Sequence, residues 1–130
     1  MAFMNQDRKK ELAPAIKAVL KKYGIKGTVA VQHHSTLVVN IKEGDLDLLS
    51  IYDEDRTYAQ VNPYWVVRNT EDDHPVISAF YAELIAAMKG PNWFDKSDSM
   101  TDYFHVAWYL NINVGDFQRP YIYRGAAQAA

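Results

Sequence analysis

The 130-residue chain contains no cysteine, and this absence removes several chemistries at once. Without cysteine it has no disulfide, no thiolate nucleophile and no zinc site built on thiolates. It also has no apolar run that approaches the roughly 20 residues needed to span a bilayer. Residues 1–8 include no apolar segment typical of a secretory signal. These absences predict a protein of the cytoplasm with no attachment to a membrane.

The chain also lacks the motifs that mark common catalytic and metal-binding sites. It has no glycine-rich loop for a phosphate, no nucleophile elbow and no metalloprotease motif. Residues 95–102 are rich in oxygen ligands, but an EF-hand needs glycine where Met100 stands and glutamate where Val106 stands. The neighbouring His33 and His34 point in different directions and make poor joint ligands. We therefore expect no catalytic residue, no bound metal and no cofactor.

Two short acidic runs, at residues 53–55 and 71–73, are the remaining candidates for acid–base chemistry. Paired carboxylates transfer protons usefully only where burial separates their pKa values, and runs in loops are usually solvated. If these runs are functional, they are better seen as mimics of a phosphate backbone that attract a basic surface. The sequence thus predicts a protein that is not an enzyme.

The charge of the chain is divided unevenly along its length. Residues 1–26 contain seven Lys or Arg and two acidic residues, a balance of +5, whereas residues 27–130 contain seven and 14, a balance of −7. One explanation is a solvated basic helix on an acidic body. The other is a surface that steers a partner or drives head-to-tail self-association.

Two amphipathic helices are predicted from apolar residues that recur with helical spacing. The first lies within residues 6–23, and its apolar stripe is Leu12, Ile16, Val19, Leu20 and Tyr23. Pro14 leaves two forms open, a helix that starts beside the proline or a longer helix kinked by it. The second helix occupies residues 75–90, because proline favours a first helical position and glycine followed by proline ends a helix.

Strands are predicted where apolar and polar residues alternate with a period of two. They are, in chain order, residues 28–32, 37–41, 57–67 (a strand or an extended segment), 104–113 and 121–123. The first two form a hairpin through a turn at residues 33–36. Pro63 places the third at an edge of the sheet, since proline cannot donate a backbone hydrogen bond.

Together these elements follow the order α-β-β-(β)-α-β and predict an α+β fold. Two helices would cover one face of a mainly antiparallel sheet of about three to five strands, which gives a two-layer sandwich. We expect a single domain over residues 1–130, with its core within residues 8–123 and a frayed tail at 124–130.

The strand at residues 104–113 assigns the two faces of that sheet. Its core side is predicted to be Phe104, Val106, Trp108, Leu110 and Ile112. The alternate side, with residues of the hairpin, would form an uncovered face able to contact a partner. Trp93 and Phe94 either pack under the loop that follows them or contact the partner. The candidate partner-binding residues are His33, His34, Asn40, Trp93, Phe94, His105, Tyr109 and Asn111.

Three segments resemble small proteins of phages and plasmids, namely residues 12–24 (LAPAIKAVLKKYG), 31–42 (VQHHSTLVVNIK) and 98–109 (DSMTDYFHVAWY). They are similar to a domain associated with large polyvalent proteins of mobile elements. The resemblance implies an accessory protein in the cytoplasm of an infected or plasmid-bearing bacterium. It also implies a counter-defence role, such as anti-restriction or anti-CRISPR inhibition, and brings no catalytic motif with it.

The sequence leaves two functions open. In the first, the protein binds a host or phage protein and performs no chemistry. In the second, it binds single-stranded nucleic acid, with Tyr109 and His105 stacked on bases and the lysines of the first helix on phosphates. We favour a protein partner, because those lysines are predicted behind the sheet and an acidic body repels phosphates. The identity of the partner, and whether a homodimer covers the second face, stay open.

Overall fold

A computed structural model describes residues 4–52, 57–63, 65–90, 93, 108–116 and 118–123. The helices and strands in this part of the chain are α1 (Gln6–Lys22), β1 (Ile25–Gln32), β2 (Thr36–Gly44), β3 (Ala59–Val61), α2 (Val66–Thr70), α3 (Pro75–Lys89), β4 (Tyr109–Val114) and β5 (Ile122–Tyr123). The predicted α+β class and element order are confirmed. Helix α2 is an element that the sequence pattern missed.

Helix α1 is continuous through Pro14, so the longer of the two predicted forms is confirmed in its extent. Asn5 caps its start, since the side-chain oxygen of Asn5 accepts a hydrogen bond of 2.8 Å from the backbone N–H of Arg8. Pro14 lies on the exposed side of the helix, where the loss of one backbone hydrogen bond is least costly. After the helix, the chain turns at Gly24, whose φ of +66° favours glycine.

The sheet has the strand order β1-β2-β4-β3, and β5 lies along the end of β2. Strands β1 and β2 pair antiparallel, as do β3 and β4, so most of the pairing is antiparallel as predicted. The central pairing is different, because β4 and β5 run parallel to β2. A parallel neighbour needs a crossover connection, and the chain from β3 to α3 supplies it. Alternation of residue types identifies the faces of a strand but not its neighbours, which is why this pairing was not predicted.

Helices α1 and α3 pack against each other over one face of the sheet. The sheet contributes Leu37, Val39, Ile41, Val61, Ile112 and Val114 to the core. Helix α3 contributes Ile77, Phe80, Tyr81, Leu84, Ile85 and Met88. The predicted core side of the last long strand is confirmed for Trp108, Leu110 and Ile112, whereas Phe104 and Val106 lie outside the residues that the structure describes.

The indole of Trp108 ties this strand to the helical layer. Trp108 is 2% exposed, and its Nε1 donates a hydrogen bond of 3.1 Å to the backbone oxygen of Met88. The guanidinium of Arg8 lies 5.1 Å from the centre of the same ring.

No helix in the described part of the chain is both long and apolar enough to cross a membrane.

Candidate binding surface on the open face of the sheet

The helices that the structure describes all pack on one side of the sheet, and we call the opposite side the open face. One row of side chains crosses the four main strands of this face. Register pairs Thr28 with Asn40, Asn40 with Asn113, and Asn113 with Gln60. Of the eight predicted site residues, Asn40, Asn111 and Tyr109 lie on this face, as expected. Whether they bind a partner stays a prediction.

The amide side chains of the open face are joined across strands in two pairs. The Nδ2 atom of Asn113 donates to Oδ1 of Asn40 at 3.0 Å, and the Nε2 atom of Gln60 donates to Oδ1 of Asn111 at 3.1 Å. Each bond uses one polar atom of each amide, so the second atom of each amide can still bond to a ligand. The pairs hold the amides in place and leave them usable.

An apolar residue of the open face lies beside one of these amides in the strand register. Val38 is on the open face beside Asn111, yet it is only 5% exposed. A buried valine next to half-buried amides makes this part of the face partly dry, which strengthens hydrogen bonds made there. The open face therefore differs from a fully solvated sheet surface.

Two half-exposed tyrosines lie toward opposite ends of the open face. Tyr109 is 46% exposed at the start of β4, and Tyr58 is 49% exposed just before β3. Tyr58 shares a face with Gln60 because side chains two residues apart in an extended chain point the same way. Tyrosine offers apolar area together with a hydroxyl and loses little entropy on contact, so it is common in binding surfaces.

The predicted hairpin turn lies next to Tyr109, as the backbone N–H of Tyr109 donates to the oxygen of Ser35 at 2.9 Å. His33 and His34 are exposed in this turn and have φ values of +54° and +55°. Such left-handed backbone costs about 1–3 kcal/mol for each residue that is not glycine. The turn itself was predicted, but its strained backbone was not, because Asn-Gly is the usual sequence for that conformation.

A groove of about 1010 Å³ opens at the other end of the open face, beside β5. Its floor is the row Thr28, Asn40, Asn113 and Gln60. Tyr58 and Lys42 line it, and the chain around Arg119, between β4 and β5, forms one wall. The strand alternation predicted Thr28, Asn40 and Asn113 on this face but did not assign Gln60 to it, and the wall comes from a turn that carries no periodic signal.

The wall of the groove is fixed by its own hydrogen bonds. Oδ1 of Asp116 accepts from the backbone N–H groups of Gln118 at 2.8 Å and Arg119 at 2.7 Å. At its start, Gly115 has a φ of +66°, and an added Cβ would lie 2.5 Å from the backbone nitrogen of Tyr121. At its end, the buried Tyr121 donates its hydroxyl to the oxygen of Leu46 at 2.6 Å. Burial raises the pKa of the Tyr121 phenol, which therefore stays protonated.

The charged groups that line the groove leave an excess of one positive charge once Lys26, the ion-pair partner of Glu43, is counted. Glu43 forms an ion pair of 3.4 Å with Lys26, and one carboxylate oxygen of Asp116 is occupied by backbone N–H groups. Lys42 and Arg119 also line the groove, and no ion pair is recorded for either within the described residues. Sequence reasoning placed the positive charge on α1, behind the sheet, and missed this second, smaller cluster.

Trp93 packs against the core, and whether it also contacts a partner stays a prediction. Its ring is half-buried against the core, and its Nε1 donates to the backbone oxygen of Trp108 at 2.8 Å. The ammonium of Lys89 lies 4.4 Å from the ring centre. Phe94 and His105, the other predicted contacts, lie outside the residues that the structure describes.

The acidic residues and histidines that the sequence raised as candidates form no metal-binding cluster within the described residues. Residues 71–73 are exposed in the turn between α2 and α3, as a solvated run should be, and residues 53–55 lie outside the described chain. Over the described ranges, no three His, Asp or Glu side chains come close enough together to hold a metal ion. The open face, with its groove, is thus the surface that the structure singles out.

No family model matches this chain, and no curated protein or solved structure is significantly similar to it.

Proposed function

We propose that the protein acts by binding a partner protein through the open face, and that it performs no chemistry of its own. The observation that carries this proposal is the arrangement of ordered amides between two half-exposed tyrosines, Tyr58 and Tyr109. Amides that are already held in place lose little freedom on binding, and this lowers the entropic cost of association. Aromatic anchors beside such groups are typical of the centre of a protein interface.

The biological setting is also part of the proposal. The resemblance to phage and plasmid proteins supports a host or phage protein as the partner, in the cytoplasm of an infected or plasmid-bearing bacterium. An inhibitor of a restriction or CRISPR system needs only a complementary surface, and the open face is the surface that we propose for this role. The support for this setting is the resemblance alone, and the support for the binding surface is the geometry.

Single-strand nucleic-acid binding is a second candidate, and one observation favours it. Lys42 and Arg119 lie on the same face as the tyrosines, whereas the sequence placed the nearest cations behind the sheet. Aromatic side chains with neighbouring cations are the usual platform for unstacked bases. Two cations at one end of the face are few for a polyanion, so this candidate ranks second.

The test compares three forms of the immobilised chain in a bacterial lysate. One is the wild type, one is Tyr58→Ala with Tyr109→Ala, and one is the control Trp65→Ala, which removes a 53% exposed aromatic side chain outside the open face. We expect a protein that the wild type and the control retain and the face variant loses. Equal retention by all three would contradict the proposal. In a gel-shift titration, tight and steeply salt-dependent binding to single-stranded DNA or RNA would favour the second candidate instead.

A further inference from the structure

We infer that the groove beside β5 takes an extended, acidic peptide segment of the partner protein. The inference rests on the proposed function and adds the chemistry of the ligand. Its first support is charge. Of the charged groups that line the groove, Glu43 is paired with Lys26, and Asp116 keeps its negative charge while its own turn engages one of its oxygens, so Lys42 and Arg119 leave an excess of one positive charge to attract an anion. A carboxylate suits both, and it matches the planar guanidinium of arginine in two-bond geometry.

The second support is the hydrogen-bonding row on the floor of the groove. Four strands spaced about 4.8 Å apart span about 14 Å, which is the length of about four residues of extended chain. Amide side chains can donate to a peptide carbonyl and accept from a peptide N–H. Asn40, Asn113 and Gln60 lie along this row, and each keeps one polar atom outside the amide pairs. Tyr58, at the rim, provides apolar area for a side chain of the segment.

The distribution of charge favours a peptide over a nucleic acid. A single strand of DNA or RNA carries one negative charge for each nucleotide and needs cations along its whole path. From the groove toward Tyr109, the open face presents neutral groups, namely Asn111, Gln32 and Thr36. A ligand that is negative at the groove and neutral farther along fits this pattern, as a peptide with one or two acidic residues does.

The test is a selection of short random peptides displayed on phage, carried out in parallel against three folded proteins. They are the wild type, Lys42→Glu with Arg119→Glu in the groove, and Lys17→Glu with Lys21→Glu as a control of equal charge change on the exposed side of α1. We expect the wild type and the control to enrich peptides rich in Asp and Glu, and the groove variant to lose this enrichment. Circular dichroism and thermal unfolding of all three proteins establish that each is folded.

An enriched acidic peptide, labelled with fluorescein, then gives the size of the effect by anisotropy. We expect at least about tenfold weaker binding to the groove variant and unchanged binding to the α1 control, because two attractive charges become repulsive in one case only. A salt titration should weaken binding to the wild type and strengthen the residual binding of the groove variant, because salt screens attraction in the first case and repulsion in the second.

Three results would overturn the inference, and they differ in what they say about the proposed function. If the selected peptides lose binding to Tyr58→Ala with Tyr109→Ala but still bind the charge-reversed protein, the open face remains a protein-binding surface and an acidic ligand is ruled out. Peptides insensitive to both changes would contradict the inference and the proposed function together. Tighter binding of labelled oligothymidine than of any peptide, lost on charge reversal, would assign Lys42 and Arg119 to phosphates.

Discussion

The two faces of the sheet place adjacent residues in opposite environments. Trp108, on the helix side, is 2% exposed, whereas the next residue, Tyr109, on the open face, is 46% exposed. The covered face is a continuous apolar core formed with α1 and α3. The open face instead has amides bonded to one another and a groove with a structured wall. Burial of apolar side chains stabilises the covered face. On the open face, hydrogen bonds order the amide groups and leave one polar atom of each able to bond to a ligand.

Under the proposed function, this difference separates stability from binding in the molecule. Removing buried apolar area costs transfer free energy and leaves a cavity, so changes on the covered face act on unfolding. Changes at half-exposed residues of the open face should leave the core intact, and under the proposed function they act on partner binding. The comparison between the faces can therefore be tested one residue at a time.

The largest expected effect is the loss of stability on Trp108→Ala. We expect a decrease of roughly 3–5 kcal/mol in the free energy of unfolding, because a buried aromatic side chain is replaced by a cavity. Tyr109→Ala is the matched control and should cost less than about 1 kcal/mol. Urea denaturation followed by fluorescence or circular dichroism measures both. Similar losses in the two variants would show that Tyr109 contributes to a buried core as Trp108 does.

The faces themselves were predictable because alternation with a period of two depends only on local sequence. It identified the core positions of Trp108 and Ile112 and the open positions of Asn40, Tyr109 and Asn111. It could not show that β2 and β4 are parallel neighbours, since that pairing joins residues far apart in the chain. For the same reason the groove was missed, because Arg119 reaches the open face through a turn with no periodicity.

The next effect concerns the strained turn at the end of the open face. His33→Asn with His34→Gly should stabilise the fold by roughly 1 kcal/mol, because asparagine and glycine adopt left-handed backbone at lower cost. His33→Ala with His34→Ala removes the same imidazoles without relieving the strain, so it serves as the control and should not stabilise. Denaturant midpoints of the two double variants measure the difference. If the Asn-Gly variant is no more stable than the Ala-Ala variant, the backbone of the turn is not strained.

An effect of similar size should distinguish two buried tyrosines of the covered side. Tyr121→Phe loses the hydrogen bond to Leu46 and should cost about 1 kcal/mol. Tyr81 is 0% exposed, burial raises the pKa of its phenol well above 10.0, and its hydroxyl has no hydrogen-bond partner in the described chain. Tyr81→Phe should therefore be neutral or stabilising by up to about 1 kcal/mol.

The tyrosine pair also tests how the two faces are connected, because Tyr121 belongs to the core and ends the wall of the groove. Tyr121→Phe should weaken binding of the acidic peptide, since the wall that carries Arg119 loses an anchor, whereas Tyr81→Phe should leave binding unchanged. Thermal unfolding and anisotropy on the same samples give both quantities. Equal binding by the two variants would mean that the wall is held by Asp116 and Gly115 alone.

The smallest effect is expected on the solvent side of the helical layer, where Glu83 accepts hydrogen bonds from Lys22 at 2.7 Å and from the hydroxyl of Tyr23. The bonds from Lys22 and then Tyr23 lower the pKa of Glu83 below its ordinary value of 4.5. A lowered pKa means that folding favours the charged carboxylate. This contribution is fully present above pH 4.5 and is lost as the pH falls through the folded pKa.

The difference in unfolding midpoint between the wild type and Glu83→Gln should therefore be constant near neutral pH and shrink in acid. Since exposed ion pairs contribute little, it should stay far below the effect of Trp108→Ala. A larger effect would mean that α1 and α3 are joined by charge rather than by the apolar core that distinguishes the covered face.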